Sequence, residues 1–197
     1  ADEIVPVAVP QKGEPLMFDV DEGVRPETTA ETLGKLRPAF SKDGTITAGN
    51  ASQISDGAAA VVLVGRAKAT ELGLTPLAEL VGFGMVAGPD PSLLTQPSRA
   101  ILRALARAGL KLGDVDLFEI NEAFAVVPMA AMHELDIPHS KVNIHGGACA
   151  LGHPIGASGA RILVTLMGAL KKTGGKRGVA SLCIGGGEAT AMAIEMM

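Results

Sequence analysis

Three short segments of the chain place a side chain that can move a proton, or hold an oxyanion, beside glycines or a turn. They are Asn121-Glu122-Ala123-Phe124-Ala125, the glycine-rich run from Gly146 to Gly159 that contains His153, and Cys183-Ile184-Gly185-Gly186-Gly187. A histidine exchanges protons near neutral pH. A thiol does so once its surroundings bring its pKa down from about 8.5. An Asn amide and a glycine N–H are oxyanion donors, and glycine lets a ligand approach the backbone closely. Each segment also has an ordinary reading. Asn121 is a good helix N-cap, and His153 before Pro154 suits a turn where it donates to a nearby carbonyl. Cys183 suits a small buried apolar position, and Gly185 to Gly187 suit a hairpin. All three nevertheless fall at junctions between a strand, a loop and a helix, where an α/β sheet presents its active groups.

The elements that must position them follow from periodicity. Ala78–Val86 and Val115–Ile120 read as strands, and Ser98–Ala108 has apolar residues at helical spacing with Gly109 as its stop. Glu122–Glu134 reads as an apolar helix, Val142–Ile144 as a short strand, and about Ile155–Lys171 as a helix. Val179–Ile184 and Ala189–Ile194 close the chain as two strands. Upstream, Ala58–Val64 is a continuous small apolar run, the pattern of a strand buried on both faces. A short helix is expected at Ala67–Leu72 before Gly73. Residues 1–54 are broken by Pro6, Pro10, Gly13, Pro15, Pro26 and Pro38, as in a long loop region, and end in a β-like run at Thr45–Ser52. Alternating strands and helices with a final β pair indicate an α/β layered fold.

Composition narrows the function classes. Apolar residues make up 47% and charged residues 19% of 197, with no Trp or Tyr and five Phe, so the core must be built from small aliphatics. A net charge of −4 gives no electrostatic reason to expect nucleic acid as partner. No apolar run approaches the roughly 18 residues of a membrane span. The N-terminal Ala-Asp-Glu-Ile is not a signal peptide, and a cytoplasmic location is expected. Two cysteines, Cys149 and Cys183, are not a disulfide framework. His145, Cys149 and His153 are spaced four apart, but the intervening glycines and Pro154 oppose a helix and no fourth ligand is evident, so no metal site is expected. No Gly-x-Gly-x-x-Gly follows a strand, so a dinucleotide fold is not indicated.

NEAFA at 121–125, GGACALGHPIGASGAR at 146–161 and CIGGGEA at 183–189 resemble the three C-terminal signatures of the thiolase family. KLRPAFSKDGTITAGNASQISDGAAAVVL at 35–63 resembles its middle region, so the likeness runs from about Arg25 to the end. The resemblance implies an acyltransferase that joins or cleaves acyl-CoA thioesters through an acyl-cysteine. It implies that Cys183 is the acid/base for the α-proton and that His153 activates the nucleophile and helps stabilise the thioester oxyanion. Asn121 would hold a water of that oxyanion site, and the Gly185 N–H would serve the second oxyanion hole. Neither cysteine matches the nucleophile's motif, which belongs to an N-terminal half expected to be missing here.

The resemblance places Arg25, Thr32 and Ser52 against the nucleotide and pantetheine of CoA, with Ala123 and Phe124 lining the pantetheine channel. Thr32 stands where some members have Ser. No tightly bound cofactor is implied; CoA and acyl-CoA enter as substrates, and a homodimer or homotetramer is expected. The family fold has five layers, αβαβα. On it, residues 1–54 are the tail of the loop domain, 55–76 the last strand and helix of the N-terminal half, and 77–197 the C-terminal half. Two rival readings are a ketoacyl-synthase-like condensing enzyme, against which the CIGGG cysteine argues, and a non-catalytic C-terminal subunit, against which the joint presence of Asn121, His153 and Cys183 argues.

Overall fold

A computed structural model describes residues 3–197. In chain order the elements are β1 (Val7–Val9), β2 (Leu16–Phe18), α1 (Ala30–Gly34), α2 (Arg66–Glu71), β3 (Ala78–Ala87), α3 (Gln96–Ala108), β4 (Leu117–Ile120), α4 (Val126–Leu135), α5 (Ala148–Leu151), α6 (Ser158–Thr173), β5 (Arg177–Ile184) and β6 (Glu188–Met196). The last four strands form one sheet in the order β3-β6-β5-β4. β4 runs parallel to β5, and the other two pairings are antiparallel. A parallel β4–β5 pair requires a long crossover, and the α4–α6 region supplies it.

Side-chain alternation sorts the sheet into two cores. Phe118 and Ile120 of β4, Val179 of β5, and Ala189, Ala191 and Ala193 of β6 pack with Ile101 and Leu105 of α3 and Val127 and Ala131 of α4. The opposite face carries Leu117, Ala180 and Ile194 against Ile162, Leu166 and Leu170 of α6. The result is helix, sheet, helix. Burying Ile101 and Leu105 contributes about 1.5–3 kcal/mol each against exposure, which is ample to hold α3 in place. Gly109 ends that helix with a left-handed φ of 67°, the conformation a C′ glycine supplies.

The small-aliphatic composition allows close approach of α3 to β3. A Cβ at Gly84 would lie 2.8 Å from the Ala104 backbone nitrogen and nearer still to the Ala100 carbonyl oxygen. Gly84→Ala is therefore expected to destabilise the fold by about 1–3 kcal/mol, the usual cost of overpacking, read as a lower thermal midpoint. An unchanged midpoint would mean that α3 and β3 part more easily than this contact allows.

Five expectations differ from the structure. Ala58–Val64 forms no strand: residues 52–65 lie outside any helix or strand, and Val62 is 90% and Leu63 77% exposed. A strand buried on both faces needs neighbours on both sides, and no strand of the described residues pairs with it. Helix α4 begins at Val126 rather than Glu122, because 123–125 is bound to residues 50–52: Ser52 N–H donates to Ala123 O (3.1 Å) and Ala125 N–H to Asn50 O (2.8 Å). Val142–Ile144 contributes a single bridge, Phe118 to Val142. The stretch 1–54 is less irregular than its prolines suggest, since β1 and β2 pair as an antiparallel hairpin. The β-like run at Thr45–Ser52 forms no strand and contributes only isolated bridges, Thr47 to Pro38 and Ala51 to Phe124. The helix forecast at Ala67–Leu72 is α2, and the other forecast strands and helices stand where expected within a few residues.

Candidate active site

Asn121 follows the last residue of β4, and Cys183 is the penultimate residue of β5, so the parallel pair delivers both to the same sheet edge. Asn121 N–H donates to Ser181 O (2.9 Å). Asn121 is not an N-cap, because Ala125 occupies that position before α4. Its side chain is buried, and its Nδ2 lies 3.2 Å from His153 Nε2. The histidine's other nitrogen, Nδ1, lies 2.6 Å from Ser158 Oγ at the start of α6. His153 therefore sits between two buried side chains rather than against a carbonyl. It borders a cleft of about 260 Å³ with Ser52, Gln53, Ile54, Ser55 and Ile155. Burial, aided by the Arg161 charge, lowers the His153 pKa and favours neutral imidazole.

The loop that carries His153 is tied down by groups the sequence reading gave no role. Glu122 Oε2 accepts the Cys149 N–H (3.0 Å) at the start of α5, and Glu122 Oε1 accepts from Asn143 Nδ2 (3.1 Å). The Asn143 side chain also pairs with the Ile120 N–H and carbonyl, both at 2.8 Å, so it completes the free edge of β4. Asn143 has a φ of 48°, a left-handed conformation that Asn tolerates better than most residues. Gly147 is required beneath this carboxylate, because a Cβ there would overlap it. Gln53 Nε2 reaches the carbonyls of Gly23 (3.0 Å), Ala150 (3.1 Å) and Cys149 (3.3 Å), and Gln53 O accepts the His153 N–H (3.0 Å). The Asn121 and His153 segments are thus clamped together by Glu122, Asn143 and Gln53.

The two thiols differ. Cys149 is pushed up to about 12 by burial and by the facing Glu122 carboxylate, so it stays a thiol at neutral pH and makes a poor nucleophile. Cys183 is raised by burial alone, with no carboxylate beside it. Both are free. After Cys183, the three glycines turn β5 into β6, with Ile184 opposite Glu188. Gly187, at φ 81°, is pressed against the Asp90 carbonyl, whereas Gly185 is exposed with open space around its Cα. Gly186 is equally exposed and open, so Gly185 and Gly186 form the free face of the turn.

The cofactor candidates divide into two groups. Ser52, Ala123 and Phe124 are brought together by the bridge from Ala51 to Phe124, and Phe124 meets Phe40 edge-on at 6.3 Å. Arg25 is exposed, and its carbonyl accepts the Thr28 N–H (3.1 Å). The Thr32 hydroxyl is engaged in its own helix start, accepting from Thr29 N–H and donating to Thr29 O, both at 2.9 Å.

The sequence pattern of the thiolase C-terminal domain matches residues 74–196, and that of the thiolase N-terminal domain matches residues 1–67. The chain belongs to the thiolase family. It is 57% identical over 199 aligned residues to an acetyl-CoA acetyltransferase of Thiocystis violacea, an alignment that covers 100% of this chain and 50% of that protein. The thiolase fold is shared with the crystal structure of the Bacillus anthracis acetyl-CoA acetyltransferase at a TM-score of 0.93 and 46% identity, over 98% of this chain and 49% of the other. Human mitochondrial 3-ketoacyl-CoA thiolase in complex with CoA superposes at 0.83 with 43% identity, over 92% and 46% respectively. The chain thus spans about half the length of the thiolases it matches. No helix of the described residues is long and apolar enough to cross a membrane.

Proposed function

We propose that this chain supplies the proton-transfer and oxyanion half of a thiolase, which condenses acetyl-CoA or cleaves 3-ketoacyl-CoA through an acyl-cysteine. The observation that carries this reading is the contact of buried Asn121 with half-buried His153, 3.2 Å apart, with Cys183 near the end of the adjoining strand. In it, His153 takes the proton of the acylated thiol and then stabilises the thioester oxyanion. Asn121 holds a water there; its buried Oδ1 has no donor among the described residues. Cys183 removes the α-proton of the attacking acyl-CoA, and the Gly185 N–H faces the second oxyanion.

The nucleophilic cysteine belongs to the other half. Cys149 does not fit that role, since burial and Glu122 keep it protonated. On this reading residues 1–54 close the loop domain, 55–76 complete the N-terminal half and 77–197 form the C-terminal half. The exposed apolar stretch Val61–Val64 then becomes a strand inside a sheet of the N-terminal half. Acyl-CoA and CoA are the small-molecule partners, with Ser52, Ala123 and Phe124 beside the pantetheine, Arg25 and Thr32 nearer the nucleotide, and a homodimer or homotetramer as the assembly.

The test is thiolysis of 3-ketoacyl-CoA by the purified chain, alone and after co-expression with a thiolase N-terminal half. The chain alone is expected to show no turnover and the pair to regain it, because the acyl group needs a thiolate to hold it while the second thioester enters. Turnover by the chain alone, abolished by Cys149→Ala, would overturn the assignment and make Cys149 the nucleophile.

A further inference from the structure

A histidine that must first accept a proton and then present it needs one defined ring nitrogen facing the reaction, and the opposite nitrogen decides which one it is. Here that opposite nitrogen, Nδ1, lies 2.6 Å from Ser158 Oγ. Ser158 is fully buried, and its Oγ is also 3.1 Å from the Pro154 carbonyl oxygen. A hydroxyl has one proton. If that proton pointed at Nδ1, the two oxygens would face each other across 3.1 Å in a buried place with no proton between them; Pro154 O also accepts the Ala157 and Ser158 N–H groups (2.7 and 2.9 Å). If it is given to Pro154 O, the repulsion becomes a hydrogen bond and Oγ is left as an acceptor. Nδ1 must then be protonated, and Nε2 is bare toward Asn121 Nδ2, which donates to it at 3.2 Å.

From this geometry we infer that Ser158 is a positioning residue that selects the Nδ1–H tautomer of His153 and so leaves Nε2 as the proton acceptor. The relay runs in one direction, from Asn121 to Nε2 and from Nδ1–H through Ser158 to Pro154 O. Three anchors hold it: the end of β4, the turn after α5 and the first residue of α6. When Nε2 takes a proton it gives up the bond from Asn121 Nδ2, and the ring becomes imidazolium without losing its bond to Ser158, so the same nitrogen becomes the donor for a thioester oxyanion. The kinetic consequence rests on the function proposed above, whereas the tautomer itself does not.

The direct measurement is the imidazole 15N spectrum of the chain labelled at histidine, in which bare and protonated ring nitrogens are distinguished. The signals of His153 are assigned by their loss in His153→Gln, since the chain has four histidines. The wild-type chain is expected to show Nδ1 protonated and Nε2 bare, Ser158→Ala to shift population toward Nε2–H, and Ser158→Thr, which keeps the hydroxyl, to restore the wild-type pattern. In the chain reconstituted with an N-terminal half, Ser158→Ala is expected to slow enzyme acylation about tenfold, the scale of one lost hydrogen bond, with Ser158→Thr recovering the rate. A wild-type His153 protonated at Nε2, or a tautomer unchanged by Ser158→Ala, overturns the inference whatever the activity. A normal tautomer shift with no kinetic change would instead remove His153 from the acylation step and leave the positioning role intact.

Discussion

Cys183→Ala, in the chain paired with its N-terminal half, is expected to slow condensation by about 10²–10⁴-fold, the usual loss of a positioned acid or base. Transfer of the first acyl group onto the enzyme should be spared. The separation of the two half-reactions is the informative part. Cys183 lies at the end of β5 and packs against the core shared with α3 and α4, whereas the Asn121–His153 pair lies next to the start of α6. Burial raises the Cys183 pKa, and no carboxylate adds to that shift. Such a thiol holds its proton well enough to return it during cleavage and becomes a strong base once ionised during condensation. Acyl-enzyme formation, followed with labelled acetyl-CoA in a single turnover, should proceed at the wild-type rate. Equal loss of both steps would show that Cys183 serves the nucleophile rather than the α-proton.

Local patterns conveyed the C-terminal part of this fold well, because its elements satisfy one another within the chain. Helix α3 was readable from Ile101, Leu102, Leu105 and Ala108 with a glycine stop. The β5–β6 pair was readable as two apolar runs around three glycines. Ala58–Val64 carries the same kind of apolar pattern, yet forms no strand. Pattern reports what a segment can bury, and pairing also requires a neighbour. The N-terminal boundary of α4 was displaced for the opposite reason: residues 123–125 found a partner in residues 50–52, which helical periodicity cannot signal.

The candidate site shows the same division. Asn121, His153 and Cys183 stood out because their residue types are chemically scarce and flank glycines. Their supports did not. Gln53 carries no local signature, and its three carbonyl contacts join segments far apart in sequence. Asn143 sits where a short strand was expected, and its side chain replaces the backbone bonds such a strand would make. Glu122 was visible inside its motif, but its function as the tether of α5 depends on the approach of Gly147. Ser158 was similarly hidden as one small polar residue in a glycine-rich run. Residues that react can be found by type, whereas residues that hold them are found only by contact.

His153→Ala should therefore impair both half-reactions, unlike the cysteine variant. One nitrogen, Nε2, faces the Asn121 amide, and the other is committed to Ser158. On the function proposed above, that single nitrogen receives the nucleophile's proton in acylation and stabilises the thioester oxyanion in the second step. Its removal takes away a base in one transition state and a donor in the other. Each contribution is of the order of 10²–10³-fold or more. The substitution also leaves the Asn121 amide without its acceptor in a buried place, at a cost of about 1–3 kcal/mol. The thermal midpoint must accordingly be measured beside the rates, so that lost protein is not counted as lost chemistry. His153→Gln is the companion variant, since it retains a polar side chain near Asn121 but no titratable nitrogen. Slow acylation and slow condensation in both variants, with folded protein, is the expected result. Normal acylation in either would reduce His153 to a structural link between Asn121 and Ser158.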